Sequence, residues 1–261
     1  MAISIVQPTA NALFTIDVSP RMPAIQCRAA ITGVQPDPTP TTLFDWSIDI
    51  TDEVRASTCP RSLIGVCRLS DRRQGVRGVW TPVFTTIQGG EAVITARTTI
   101  RGVAQQASVR VRIRGTNPTA AAVTARLGGA GSAADRIACH ESGRRQFDGT
   151  GMPLLGPGGD VGVMQMCNPA ASALQRWDWT ANVAAGAALL TQKAAAARAH
   201  LAPHVVAEHY PNTLNLSDAD VLLRETIQRY NGGAYWTWNG TARTWEPHPA
   251  TTYVATVLSC R

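Results

Sequence analysis

Four short segments carry side chains suited to acid–base chemistry on a polar, uncharged substrate. They are Glu141-Ser142-Gly143, Gly162-Val163-Met164-Gln165, Asn182 with Gly186 one helical turn on, and Tyr230-Asn231-Gly232-Gly233. Glu141 closes a stretch whose Ile137 and Ala138 would face a core. A carboxyl desolvated there keeps its proton towards neutrality and can give it to a glycosidic oxygen; a solvated glutamate at a helix end could not. Gly162 permits close backbone approach to a cleft. Gln165 offers both donor and acceptor to hydroxyl or acetamido groups, and Met164 packs against the core or a sugar. Asn182 suits a helix N-cap and Asn231 a C-cap. Tyr230 can hydrogen-bond the Glu141 carboxyl while its ring packs.

Glycosidases ordinarily set two carboxylates roughly 5 to 9.5 Å apart. Asp148, Asp160 and Asp178 are the candidates for a second one; Asp160, just before Gly162, either reaches the cleft or braces the loop. Trp177, Trp179, Trp236, Trp238 and Trp245 all fall in the second half, and flat rings suit sugar faces and cores alike. Trp236 and Trp238 follow the Tyr-Asn segment and are the ones expected at a groove. His200, His204 and Glu208 recur at helical spacing beside His209, but Pro203 interrupts them and no HExxH pattern occurs, so neither metal nor cofactor is expected. Cys139 and His140 are adjacent and would point apart on a helix, which leaves Cys139 as a small buried residue.

Taken in order, the four segments resemble the soluble lytic transglycosylase family of the lysozyme superfamily. That family shows a Glu-Ser pair ending a helix, a Gly-Leu-Met-Gln segment, an Asn-x-x-x-Gly helix start and a Tyr-Asn segment. The likeness covers residues 119–261. It implies a peptidoglycan-cleaving enzyme in which Glu141 is the one catalytic acid. Glu141 would protonate the oxygen between N-acetylmuramic acid and N-acetylglucosamine. It would then take the proton of the muramyl C6 hydroxyl as that oxygen attacks C1, giving a 1,6-anhydro product. The resemblance also places Ser142, Met164, Gln165, Asn182, Tyr230, Asn231 and Trp236 around the substrate. If Asp160 or Asp148 activates water instead, the enzyme is a hydrolytic muramidase. Without turnover, it is a glycan-binding or structural adaptor. The Gly/Pro-rich stretch 144–161 and Arg229, where the family has Ala, depart from the pattern.

The elements that must hold these residues change character along the chain. Stretches 12–18, 24–31, 43–50, 92–97 and 107–113 alternate apolar and polar residues, as strands do, and Gly/Pro clusters punctuate them. Stretch 52–78 breaks the alternation and reads as an Arg-rich loop. Helical patterns follow at 119–127 and 133–142. A long helix starts near Asn182, capped by Thr180 and broken near Pro203, and another runs over 218–230 behind a Ser217/Asp220 capping box. The expected fold class is α+β multidomain: an Ig-like β-sandwich over 1–114 for targeting or docking, a linker at 115–118, and a mainly α lysozyme-like domain over 119–261.

The chain has 261 residues and a net charge of +6, and the basic surplus sits in residues 1–118. No dense basic run with interleaved aromatics occurs, so no nucleic-acid partner is expected. No apolar run is long enough to span a bilayer. Residues 1–14 lack the features of a secretory signal, so the expected route to a bacterial periplasm or wall is injection by a phage tail or type VI secretion machine, or passage helped by a holin. An immunity protein is an expected partner of such an antibacterial effector. Cys59 and Cys67 bracket a loop that a disulfide could close.

Overall fold

The computed structural model describes residues 2–33, 41–54, 65–207, 214–215, 218–249 and 252–261. Its strands are β1 (Ala2–Gln7), β2 (Leu13–Ile16), β3 (Cys27–Thr32), β4 (Leu43–Val54), β5 (Gly65–Arg77), β6 (Val79–Trp80), β7 (Gly90–Ile100) and β8 (Val103–Gly115). Helices α1 (Ala120–Arg126), α2 (Ala133–Ser142), α3 (Ala173–Trp177), α4 (Trp179–Ala207) and α5 (Ala219–Asn231) follow. A hairpin of β9 (Trp236–Asn239) and β10 (Thr244–Pro247) and a helix α6 (Thr252–Ser259) come after them.

The chain divides into two compact units. The first comprises Met1–Pro118, Gln146–Gly162 and Cys167–Thr180, and the second Thr119–Arg145, Val163–Met166 and Ala181–Arg261. The first unit holds a three-stranded sheet, order β1-β3-β6, and a five-stranded sheet, order β2-β8-β7-β4-β5, in which β2 runs parallel to β8. Period-two alternation sets which side chains are inside. On β4, Phe44, Trp46, Ile48, Ile50 and Asp52 are buried in phase, and on β8 buried Val111 and Ile113 alternate with exposed Arg110 and Arg112. One core takes residues from both sheets, including Ile3, Ala29 and Ile31 with Ile48, Ile94 and Ile113.

Phe147 and Trp177 complete that core. They fit because the backbone beneath them is bare: a β-carbon on Gly115 would stand 2.2 Å from Phe147, and one on Gly89 would stand 2.3 Å from Trp177. Asp52, inward on β4, accepts from Arg176 Nε and Trp177 Nε1, both at 2.9 Å. Asn117 fastens the next segment: its Oδ1 accepts from the Gln146 and Phe147 N–H groups at 2.8 Å, and its Nδ2 donates to the Phe147 carbonyl at 2.9 Å. Residues 115–118, read as a linker, are therefore tied into the first unit, where the Gly115 N–H also donates to the Gly151 carbonyl at 2.8 Å.

An Ig-like β-sandwich followed by a mainly α lysozyme-like domain is not what forms. The protein is mixed α+β: the described residues are about 30% helix and 34% strand and contain no clear mainly α domain. The physical reason lies in the second half of the sequence. Residues 146–162 and 167–180 pack with the sheets, and residues 236–247 pair as a hairpin. Other expectations also give way. Stretch 52–78 is not a loop: β4 runs to Val54 and β5 resumes at Gly65, in register with it, while residues 55–64 lie outside the described ones. Helix α4 starts at Trp179, with Asp178 Oδ1 accepting from the Thr180 N–H at 2.7 Å, and it continues past Pro203. Asp218 caps α5; Ser217 lies outside the described residues. Cys67 is a free thiol, Cys59 lies outside the described residues, and the core thiol of Cys27 is pushed up to about 12 by burial.

Candidate active site

Glu141 stands in the last turn of α2, a helix fixed at both ends. Ser132 caps its start by accepting from the Asp135 N–H, and Gly143 ends it in the left-handed conformation at φ 62°. Asp135, buried in the first turn, takes the Arg144 guanidinium on both oxygens at 2.8 and 3.0 Å. Thr124 and the Gly131 N–H add two more donors. The Arg144 hydrogen bond outweighs the upward push of burial, and with the smaller contributions it holds the Asp135 carboxyl at about 2.

The half-buried Glu141 carboxylate accepts from the Tyr253 hydroxyl, Oη to Oε1 at 2.5 Å. Burial, and then the Glu141 charge, push the Tyr253 phenol far above its ordinary range, so it remains a donor. The His140 ring meets Tyr253 edge-on at 5.1 Å. Tyr253 went unseen in the sequence because it lies 112 positions from Glu141. In the structure a Cys139–Cys260 disulfide joins the segments that carry the two residues. Cys139 is thus a crosslink, not simply a small buried residue.

The other three segments converge on the backbone of residues 163–164. Ser142 Oγ, which is buried, lies 2.8 Å from the Val163 carbonyl and 3.0 Å from that of Ala138, and it accepts from the Arg145 N–H. The fully buried Asn182 side chain accepts the Met164 N–H at 2.9 Å. Tyr230 donates to the Met164 carbonyl at 2.7 Å. Gly186, on the same face of α4 as Asn182, leaves room for the buried Met164 side chain. Ser142, Asn182 and Met164 are thus buried, and Ser142 and Asn182 grip the backbone of residues 163–164. Gln165 follows directly. It is half-buried and held at φ +43°, a conformation uncommon for a non-glycine residue and typical of sites where strain is kept for function.

Asn231 is the exposed last residue of α5, and Gly232 takes the C-cap. The Trp236 indole donates to the Val221 carbonyl at 3.2 Å, and its ring packs with Leu201, Val221, Trp238 and Trp245. Glu225, which the sequence did not single out, is fully buried beneath the hairpin. It accepts the Tyr235 and Trp236 N–H groups at 2.8 and 2.9 Å and faces Arg229 Nε at 2.7 Å.

Asp148, Asp160 and Asp178 belong to the first unit. Asp148 Oδ1 gathers donors from Thr150 and Met152; burial raises its carboxyl, but these hydrogen bonds together prevail and leave it lowered. Asp160 sits in the turn where its carbonyl accepts the Gly156 N–H, and Asp178 caps α4. His200 contacts the Trp236 carbonyl and the Trp245 ring, while the side chains of His204, Glu208 and His209 lie outside the described residues. No group of three metal-ligating side chains occurs among the described residues.

Compared with protein-family models, with curated proteins and with solved structures, the chain finds no match.

Proposed function

We propose that this chain cleaves the β-1,4 bond between N-acetylmuramic acid and N-acetylglucosamine in peptidoglycan, acting as a lytic transglycosylase with Glu141 as acid and then base. The observation that carries the reading is the meeting of the four segments. Ser142, Asn182 and Tyr230 pin residues 163–164, and Tyr253 holds Glu141. The reading rests on this arrangement of side chains and does not lean on a lysozyme-like fold.

Protonated Glu141 gives its proton to the glycosidic oxygen as the bond to C1 breaks. The carboxylate then takes the proton of the muramyl C6 hydroxyl, whose oxygen closes on C1. The proton lost in the first step is regained in the second, and no water is consumed. The one-acid course is favoured because the other described carboxylates of the same unit already have duties. Asp135 pairs with Arg144, Asp218 caps α5, Asp220 pairs with Arg224, Glu225 holds the hairpin and Glu246 accepts from Asn239. Gln165 is the group assigned to substrate hydroxyl or acetamido contact. Peptidoglycan strands are the partner this requires; among the described residues no helix is long and apolar enough to cross a membrane.

The test separates turnover from binding. Dye-labelled sacculi are incubated with the protein and with Glu141→Gln, and released dye and pelleted protein are both measured. Release by the wild type alone, with both proteins pelleting, supports the enzyme. Pelleting without release by either makes it a glycan-binding module.

A further inference from the structure

Tyr253 reaches Glu141 from α6, a helix of 8 residues. A helix so short does not persist in water by itself, so its docking on α2 must be maintained by tertiary contacts. Three are present. Val254 and Val257 are fully buried, the Arg136 guanidinium donates to the Leu258 carbonyl, and a disulfide joins Cys139 to Cys260 with Cα atoms 6.0 Å apart. Cys139 is on α2 directly before His140 and two residues before Glu141, and Cys260 directly follows α6. Both cysteines are partly exposed, so a small soluble thiol can reach the bond.

We propose that the Cys139–Cys260 disulfide is a redox latch on the catalytic acid. Oxidised, it keeps α6 docked and the Tyr253 hydroxyl on Glu141. Reduced, it lets α6 leave, and the acid loses the donor that orients it. This rests on the reading of Glu141 as the catalytic acid. A dithiol reductant supplies the chemistry: one thiolate attacks a sulfur of the pair and releases the other cysteine, and its second thiol resolves the mixed disulfide. Two electrons and two protons end on Cys139 and Cys260, and the reductant leaves as a cyclic disulfide. The chain is thus held at low activity in a reducing compartment and armed in an oxidising one.

The experiment uses the oxidised full chain, the same protein treated with dithiothreitol, the Cys139→Ala/Cys260→Ala variant, and oxidised Tyr253→Phe. Solubilisation of sacculi and hydrogen exchange across residues 252–259 are measured on each. The reduced protein and the cysteine variant should lose about tenfold or more in rate, as expected for removal of one hydrogen bond to a charged group, together with protection of α6. Reoxidation should restore the wild type only. Tyr253→Phe should lose a similar factor with α6 still protected, and its pH–rate profile should move, as a merely structural residue would not cause. If the cysteine variant loses protection throughout its unit, Tyr253→Phe decides, and full activity in it overturns the latch. An active oxidised protein whose cysteine variant keeps both rate and protection also overturns the latch while leaving the enzyme standing. An oxidised wild type that solubilises nothing sinks the enzyme reading and the latch together.

Discussion

Met164 lies across the bare α-carbon of Gly186: a β-carbon there would come within 2.4 Å of Met164 Cγ and 2.5 Å of its Cβ. These are the inner atoms of the side chain, and the backbone carrying them is pinned by Asn182 and Tyr230, so they cannot swing aside. Helix propensity alone favours Ala over Gly by about 1 kcal/mol. Overpacking of a filled core costs about 1–3 kcal/mol. Gly186→Ala should therefore destabilise the protein in urea melts and lower turnover. Met164→Ala in the same chain should recover part of the lost stability. A Gly186→Ala protein as stable and active as the wild type would contradict this account of the Asn-x-x-x-Gly spacing.

Gln165 separates function from folding. Its φ of +43° costs a side-chain-bearing residue energy that glycine does not spend. Gln165→Gly relieves that strain but frees the unfolded chain, and the two effects roughly cancel, to within about 0.5 kcal/mol. Urea melts fix what the change does to folding, and turnover should fall by about tenfold beyond that through loss of a substrate hydrogen bond. Unchanged turnover would remove Gln165 from the site.

The Asp135–Arg144 pair makes a prediction with a defined pH window. The Asp135 carboxyl is held at about 2, below its ordinary 3.8. Its contribution is fully present above the ordinary value and is lost as pH falls through about 2, amounting to about 2 kcal/mol. Asp135→Asn should be less stable at neutral pH by at least that much, because Arg144 is left buried without its charge partner. The gap between wild type and variant in urea melts should narrow from pH 4 towards pH 2. A gap independent of pH would show that the pair does not hold the two ends of α2.

What the sequence revealed follows how local each signal was. Strand alternation over 43–50 and 107–113, and α2 over its full length, were readable because one period governs each and one face of each meets a core. Glu141 at the end of α2 came with them. The edge strand β5 was hidden, since Arg68, Arg72, Arg73 and Arg77 are exposed and only scattered residues such as Leu69 and Val76 face inward. Asp52 sits in phase with the apolar face of β4, but its partners Arg176 and Trp177 are more than a hundred positions away. Phe147 and Trp177 likewise fill the core of the sheets from the other half of the chain, which is why an independent sandwich and a separate helical domain were expected. Ser142 and Asn182 show why residue type alone assigns no role: a buried polar group that grips backbone has the same residue type as one that touches a sugar.

Asp52 also carries a stability prediction. Both it and Arg176 are buried, and the carboxylate also takes the Trp177 indole N–H. Removing one partner of a buried pair costs about 3–5 kcal/mol, because the other charge is left unpaired in a dry core. Asp52→Ala should therefore melt far below the wild type, and exchange protection should be lost first around α3. A loss under about 1 kcal/mol, the range of surface pairs, would mean that this pair is solvated in solution.

Glu141 is proposed to cleave peptidoglycan without water. Sacculi digested by the wild type and by Glu141→Gln are to be compared by mass spectrometry of the soluble muropeptides. The wild type should release 1,6-anhydro-muropeptides, with a loss of about a hundredfold or more in the variant. Products with free reducing ends would contradict the one-acid course and make the enzyme a hydrolase, and equal yields from both proteins would remove Glu141 from the chemistry.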